Sequence, residues 1–368
     1  MPGSPALVDR DAVRAGVDRI LAQVVETERG RLADLGTDAI VLADSLAAML
    51  SGGKRMRAAL CYWSWRAHGG EPEGAGRARA LQVGAALELF QAAALFHDDV
   101  MDDSDTRRGL PSAHVVHAAA HRSAGWSGDA DRYGTSAAIL LGDLALVLAG
   151  AVFADACDTL PVDARRAARD LFDEMQRVVT TGQFLDVHAQ AVAWGDDPAL
   201  DEDRARGVLR AKSACYSVVH PLQLGAALAG APADQVEALG AVSLGLGEAF
   251  QLRDDLLGVF GDASRTGKPS GDDLREGKRT VLVARALAAG SPADGATVRG
   301  ALGRRDLTDD DVDTVRGALV RTGAVASVEA LITELGDAAT AGLAALPLVE
   351  PGRGVVLELA RLLVERDA

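Results

Sequence analysis

Aromatic residues are scarce: Phe, Trp and Tyr make up 4% of the chain. Single-stranded nucleic acid is gripped by stacking bases on aromatic faces, and few such platforms exist here. Positive charge is short as well. The 38 Lys and Arg stand against 53 Asp and Glu, a net charge of −15, which argues against a sequence-independent hold on a phosphate backbone. No nucleic-acid partner is expected. Cysteine is nearly absent. Cys61, Cys157 and Cys215 lie far apart, form no CxxC pair and are odd in number, the pattern of reduced cytoplasmic thiols and not of a disulfide framework. The N-terminal MPGSPALVDRDAVRAG carries charges where an export signal needs an apolar run. The best candidate for a membrane span, SAAILLGDLALVLAGAVFA from Ser136 to Ala154, has Asp143 near its middle and two interrupting glycines. It reads as a buried helix of a large core and not as a transmembrane segment.

Helical periodicity is what the chain has in quantity. With 368 residues, 48% of them hydrophobic, a substantial core can be buried. Apolar residues recur at spacings of three and four, and no convincing alternation at two is found. The expected fold class is all-α, a single-domain bundle of long helices. The spacing predicts helices over roughly 38–50, 54–68, 76–103, 135–158, 163–191, 202–229, 233–260, 278–289, 308–322, 325–345 and 352–366. Pro221 is expected to kink one of them. Breakers fall at 69–74, 123–134, 194–203 and 261–273. None resembles a long linker, so residues 1–368 are read as one domain, with about 278–368 as its C-terminal helical cap.

One expected helix ends in a concentration of like charge. FHDDVMDDSDTRRG, from Phe96 to Gly109, holds Asp98, Asp99, Asp102, Asp103 and Asp105 directly after an apolar stretch. On an ideal helix Asp98 and Asp102 share a face, and Asp99 and Asp103 form a second pair beside them. Like charges at that spacing cost about 0.2–0.5 kcal/mol per pair even in water, and desolvation raises the cost. Oxygen-rich, thiolate-free groups of this kind suit Mg²⁺, which prefers few carboxylates, several waters and phosphate oxygens. A solvated acidic helix end is the alternative for this motif alone. A second motif, FQLRDDLLGVFGD from Phe250 to Asp262, places Asp254 and Asp255 inside another apolar helix. Two such pairs make sense as opposing walls of a cavity with metal ions between them. Cationic residues are arrayed alongside: Lys54, Arg55, Arg57, Arg107, Arg108, Lys212, Lys268 and Lys278. Metal and basic side chains together point to a diphosphate ligand.

With GGKRMR (52–57), HDDVMDDSDTRRG (97–109), LLGDLAL (140–146), AKSA (211–214), FQLRDDLLGVFGD (250–262) and TGKPSGDDLREGKRT (266–280) in this order, the chain resembles the trans-isoprenyl diphosphate synthases of the polyprenyl synthetase family, geranylgeranyl diphosphate synthases in particular. The resemblance implies helices around a deep central pocket, a cytoplasmic homodimer, Mg²⁺ with Mn²⁺ as a possible substitute, and two substrates, isopentenyl diphosphate and an allylic diphosphate. It implies that Asp98 and Asp102 bind metal with Asp99 in support, and that Asp254 and Asp255 hold metal from the other wall. Lys54, Arg57 and Arg108 would bind isopentenyl diphosphate, with Gly53, Arg55 and Gln91 nearby. Arg107, Lys212, Ser213, Gln251, Lys268 and Lys278 would contact the allylic diphosphate. The catalytic set would be Asp98, Asp99, Asp102, Lys212, Asp254 and Lys268. His97 is read as a packing group. Two positions depart from the family pattern. Ser213 replaces the more usual Thr, and Gly258 stands where many members have a third aspartate.

The family chemistry is ionisation of the allylic diphosphate, attack by the double bond of isopentenyl diphosphate, and loss of a proton to the released diphosphate. The resemblance places the wall that limits product length just before Asp98, at Phe90, Ala93 and Ala94. Ala93 and Ala94 are small, and Phe90 lies about 12 Å below Asp98 at 1.5 Å per residue. The expected product is geranylgeranyl diphosphate, C20. The alternatives are a longer-chain or C15 synthase, or a terpene cyclase of the same fold. A cyclase has no need of the second diphosphate site that Lys54, Arg55 and Arg57 supply.

Overall fold

The structure is a computed structural model describing residues 10–195, 197–261 and 271–365. The fold is all-α. In chain order the helices are α1 (Val13–Leu35), α2 (Ile40–Leu50), α3 (Met56–Ala67), α4 (Gly74–Met101), α5 (Ala113–Ala124), α6 (Ala130–Cys157), α7 (Val162–Ala191), α8 (Pro198–Leu209), a π-helical run (Arg210–Val219), α9 (His220–Leu228), α10 (Ala233–Phe260), α11 (Asp272–Glu276), α12 (Val281–Ala289), α13 (Pro292–Ala301), α14 (Asp309–Arg321), α15 (Ala324–Ala345) and α16 (Gly352–Val364). Among the described residues, strand is limited to a two-residue antiparallel pair, β1 (Thr106–Arg107) and β2 (Leu110–Pro111), in the register Thr106 to Pro111.

Two apolar cores hold these helices. The larger one takes buried residues from α1 to α4, α6, α7, α9 and the upper half of α10, with Leu343, Val355 and Leu359 of α15 and α16 joining it. The second takes Leu209 of α8, the lower half of α10 through Leu252, Leu256 and Val259, and residues from Leu274 to Ile332. Residues after 278 therefore contribute to both cores. The first acidic motif ends α4 in the larger core, and the second lies on α10 in the other, so the site forms at the seam between them.

Several expected elements begin or end elsewhere. The helix expected over 76–103 stops at Met101; Asp102 caps it, and Asp103 takes a left-handed φ of 52°. Aspartate tolerates that conformation better than most residues. The expected pairing of Asp99 with Asp103 on one face is thereby broken: Asp103 points to solvent, 3.8 Å from Arg305. The helix expected over 202–229 is three segments, because Pro221 has no N–H for the α register and a π-helical run precedes it. Helices α1, α5, α11 and α13, unexpected from the sequence, lie before or between predicted ones. In α1 the apolar stripe is narrow and interrupted by Arg and Glu.

Helices α4 and α6 are both long and apolar enough to cross a membrane by length and composition. In α4 the most apolar window is 72% buried, whereas in α6 only 39% is. The α6 surface shows Ile139, Leu140 and Val147 to solvent, interrupted by Asp143.

Candidate active site

The last turn of α4 delivers Asp98 and Asp99 into a basic setting. Lys212 Nζ lies 2.9 Å from Asp98 Oδ1, and Gln183 Nε2 donates to the same oxygen at 3.2 Å. Arg107 Nη2 donates to Asp98 Oδ2 at 3.2 Å. Burial alone would raise the Asp98 pKa; Lys212, Lys278 and Arg107 together outweigh it and hold the carboxylate ionised, well below the usual range. Arg107 also donates to Asp99 through Nε at 2.7 Å and through Nη2. The hairpin of β1 and β2 is what turns Arg107 back onto the helix it has just left. Asp102, past the helix end, has a fully buried side chain, and neither of its oxygens accepts a hydrogen bond. Lys278 Nζ is its ion-pair partner at 3.2 Å. Burial pushes the Asp102 carboxyl up to about 6, Lys278 pulling against it and the charge of Asp98 adding to it.

The second wall comes from α10. Gln251 Nε2 donates to Asp255 Oδ1 at 2.8 Å. Burial, and then the charge of Asp273, push the Asp255 carboxyl up to about 8. Asp254 is half-buried beside it. Lys278 stands between the walls. Its Nζ is 2.5 Å from Glu276 Oε2, 3.2 Å from Asp102 Oδ2 and 3.5 Å from Asp273 Oδ1. Burial works against its charge, but these carboxylates keep it protonated well above its ordinary range.

Among the described residues no three acidic, His or Cys side chains form a ready metal cage. The carboxylates are instead partnered by ammonium and guanidinium groups. The donors are nonetheless those a hard divalent cation takes: oxygen alone, with both Asp102 oxygens buried and lacking a hydrogen-bond donor. Burial raises the pKa of Asp102 and of Asp255, the charges of Asp98 and Asp273 adding to it, and a divalent ion would offset both causes.

Guanidinium groups crowd the opposite side. Gly52, Gly53 and Arg55 all take positive φ, at 71°, 81° and 52°, which makes the sharp turn into α3. A Cβ on Gly53 would lie 3.5 Å from Arg55 Nη1 and 3.7 Å from Arg108 Nη1. Arg108, itself at φ 55°, reaches the carbonyls of Met49 and Ser51. Burial, then Arg55, and further Arg107 and Arg57, lower its pKa against the pull of Glu88. Like charges gathered in this way are favourable surroundings for an anion. Arg55 itself is turned inward. It donates to Asp18 at 2.7 Å, to Glu88 and to the Leu50 carbonyl, so its role is to fix the turn. Arg57 donates to Ser217 Oγ at 2.7 Å and stacks 4.2 Å from the Tyr216 ring centroid. Lys54 is exposed on the same turn, and Gln91 and Ser213 are half-buried. Lys268 lies outside the described residues.

Below Asp98 on α4, Phe90 and Ala93 are buried and Ala94 is half-buried. Phe90 meets Tyr216 edge to face, with ring centroids 6.0 Å apart.

Several participants escape the sequence reading. Asp186 receives Lys212 Nζ at 2.5 Å, and with Gln183 it forms the pair in GQFLD whose spacing of three puts both on one face of α7. Glu276 accepts from Ser104 Oγ at 2.5 Å, tying α11 to the loop after the first motif. Arg305 donates to the carbonyls of Asp102 and Asp103. Gly182 lets α7 press against the π-helical run: a Cβ there would lie 2.3 Å from Lys212 N. His97 Nε2 sits 3.1 Å from the Ile139 carbonyl and 3.4 Å from Asp143, between α4 and α6.

The polyprenyl synthetase profile matches residues 40–319. The chain belongs to the polyprenyl synthetase family. It is 32% identical to the geranylgeranyl diphosphate synthase of Sulfolobus acidocaldarius over 262 residues, 71% of each chain. It is also 32% identical to the nonaprenyl diphosphate synthase of Mycobacterium tuberculosis over 360 residues, covering 96% of this chain and 93% of that one. Among solved structures, a geranylgeranyl pyrophosphate synthase from Corynebacterium glutamicum, complexed with isoprenyl diphosphate and magnesium, superposes with a TM-score of 0.89 at 36% identity. It covers 98% of this chain and 99% of that one. As a polyprenyl synthetase, the chain is a trans-prenyltransferase, of a family that uses isopentenyl and allylic diphosphates. Product length is not common to these relatives, which include both short-chain and long-chain synthases.

Proposed function

We propose that this prenyltransferase is a Mg²⁺-dependent synthase that condenses isopentenyl diphosphate with an allylic diphosphate, and that its main product is geranylgeranyl diphosphate. The observation that carries the reading is the meeting of two acidic walls with a crowd of guanidinium groups. Asp98, Asp102, Asp254 and Asp255 are the residues that would hold Mg²⁺, with Mn²⁺ as a substitute. The bound ion supplies Lewis-acid stabilisation of the departing diphosphate. Lys212 and Arg107, which also contact Asp98 and Asp99, neutralise the same oxygens. Arg57 and Arg108, with Lys54, hold the second diphosphate; Arg55 sets the turn that carries them. That second anion site favours a coupling enzyme over a cyclase. The described groups offer no free histidine base near Asp98, which fits proton transfer to the released diphosphate.

A C20 product is supported by the two alanines directly below the metal-binding face and by Phe90 as the first large side chain. A longer product is the second reading, favoured by the likeness to a nonaprenyl diphosphate synthase over nearly the whole chain. The working form is proposed to be a cytoplasmic homodimer, supported by the uncovered apolar face of α6 and by three unpaired cysteines. The test is turnover of isopentenyl diphosphate with C5, C10 and C15 primers, followed by product chain-length analysis. A C20 product that vanishes in excess chelator supports the reading. No condensation with any primer overturns it, and a main product of C15 or of C25 and above overturns the length.

A further inference from the structure

The second acidic motif is one carboxylate short. Gly258 stands four residues after Asp254, on the same face of α10. The space over that glycine is filled. A Cβ built on Gly258 would lie 1.9 Å from Oδ2 and 2.4 Å from Cγ of Asp273. The carboxylate of Asp273 thus takes up the volume that a side chain at 258 would enter. It comes from another element, α11, which packs on α10.

We propose that Asp273 supplies, from outside the motif, the carboxylate that residue 258 lacks, and serves the divalent-cation site on this wall. The inference rests on the prenyltransferase reading. Two further observations point the same way. Lys278 Nζ is shared between Asp273 Oδ1 at 3.5 Å and Asp102 Oδ2 at 3.2 Å, so carboxylates from the two walls flank one ammonium. The Asp102 side chain is 1% exposed and its oxygens accept no hydrogen bond, so a buried acceptor faces the same small volume. The charge of Asp273 also bears on Asp255, and a divalent ion at this wall would offset it.

The experiment uses the full chain and reads Mn²⁺ binding in the presence of inorganic diphosphate, from the electron paramagnetic resonance of free Mn²⁺. Asp273→Asn keeps the side-chain volume and removes the charge. It is expected to weaken Mn²⁺ binding by about 10–100-fold, the usual cost of losing a group that supports a metal site. Asp273→Glu, which keeps a carboxylate, is expected to retain most of the affinity. Combining Gly258→Asp with Asp273→Ala, which clears the volume over residue 258, is expected to restore most of it by returning the carboxylate to α10. Wild-type Mn²⁺ affinity in Asp273→Asn overturns the proposal. So does equal loss in the Asn and Glu variants, or a folded double variant with no recovery. Wild-type turnover of isopentenyl diphosphate with an allylic primer is measured separately. An inactive wild type sinks the prenyltransferase reading, whereas an active one with an indifferent Asp273 sinks only this inference.

Discussion

Asp98 and Asp255 have opposite electrostatic fates. Asp98 stays ionised because Lys212, Lys278 and Arg107 outweigh its burial; Asp255 is pushed up to about 8 by burial and Asp273, and Asp102 to about 6. Below pH 8 Asp255 therefore holds a proton that a divalent cation must displace. Mg²⁺ binding with diphosphate should release protons at pH 7 and weaken as pH falls from 8 to 6. Calorimetry in buffers of different ionisation enthalpy would report this, and heats independent of buffer would refute it. Asp98→Ala or Asp254→Ala should lower turnover by orders of magnitude with little change in circular dichroism; near-native turnover in either would remove that residue from the site. For product length, Ala93→Phe adds bulk above Phe90 and should shift the main product toward C15, while Phe90→Ala should lengthen it. An unmoved distribution in both would mean that the tail runs elsewhere. The aspartates and their neighbouring basic residues were legible because each motif is contiguous in sequence. Asp186, Tyr216 and Glu276 were not, since each is an ordinary helix residue until folding brings it to Lys212, Arg57 or Ser104.

Helices with a wide apolar stripe, such as α4 and α10, could be read from periodicity nearly to their ends. Helix α1 could not: its buried residues, Val13, Val17, Leu21, Val25 and Leu32, form a narrow line among charges. The π-helical run was legible only as a proline kink. Its consequence is larger than a bend, since the run carries Lys212, Ser213, Tyr216 and Ser217. The His220 N–H reaches back to the Cys215 carbonyl, five residues away, and Pro221 offers no N–H that could draw the chain into α register. Pro221→Ala restores that donor. It should allow α-helical pairing, move Lys212 off Asp98, and reduce kcat by up to about 100-fold, the scale of a 1 Å misplacement. Stability should fall little. A wild-type kcat in a folded variant would show that the π register does not depend on the proline.

At the scale of the whole molecule, α6 is the element left unfinished. Leu140 is 59% exposed and Val147 67%, an apolar face that a lone subunit leaves in water at a cost of roughly 25 cal/mol per Å². Light scattering of the wild type at micromolar concentration should give the mass of two chains, and Leu140→Glu with Val147→Glu should give one. A wild-type mass of one chain would leave the face to some other cover. The sequence reads this helix as buried in a large core, whereas only 39% of its most apolar window is; which side stays open is decided by where α4, α5 and α7 pack.

Gly182 separates what this enzyme can change from what it cannot. Its missing methyl lets two main chains touch, with no side chain between them to trim in compensation. The proposed floor for the product tail is different, since Phe90, Ala93 and Ala94 are side chains on one helix that can be exchanged without moving a backbone. A laboratory lineage selected for longer or shorter lipids should therefore accumulate its changes along that stretch, step by step and reversibly. Position 182 should stay silent throughout, because every alternative there parts the walls before any new product can be tried.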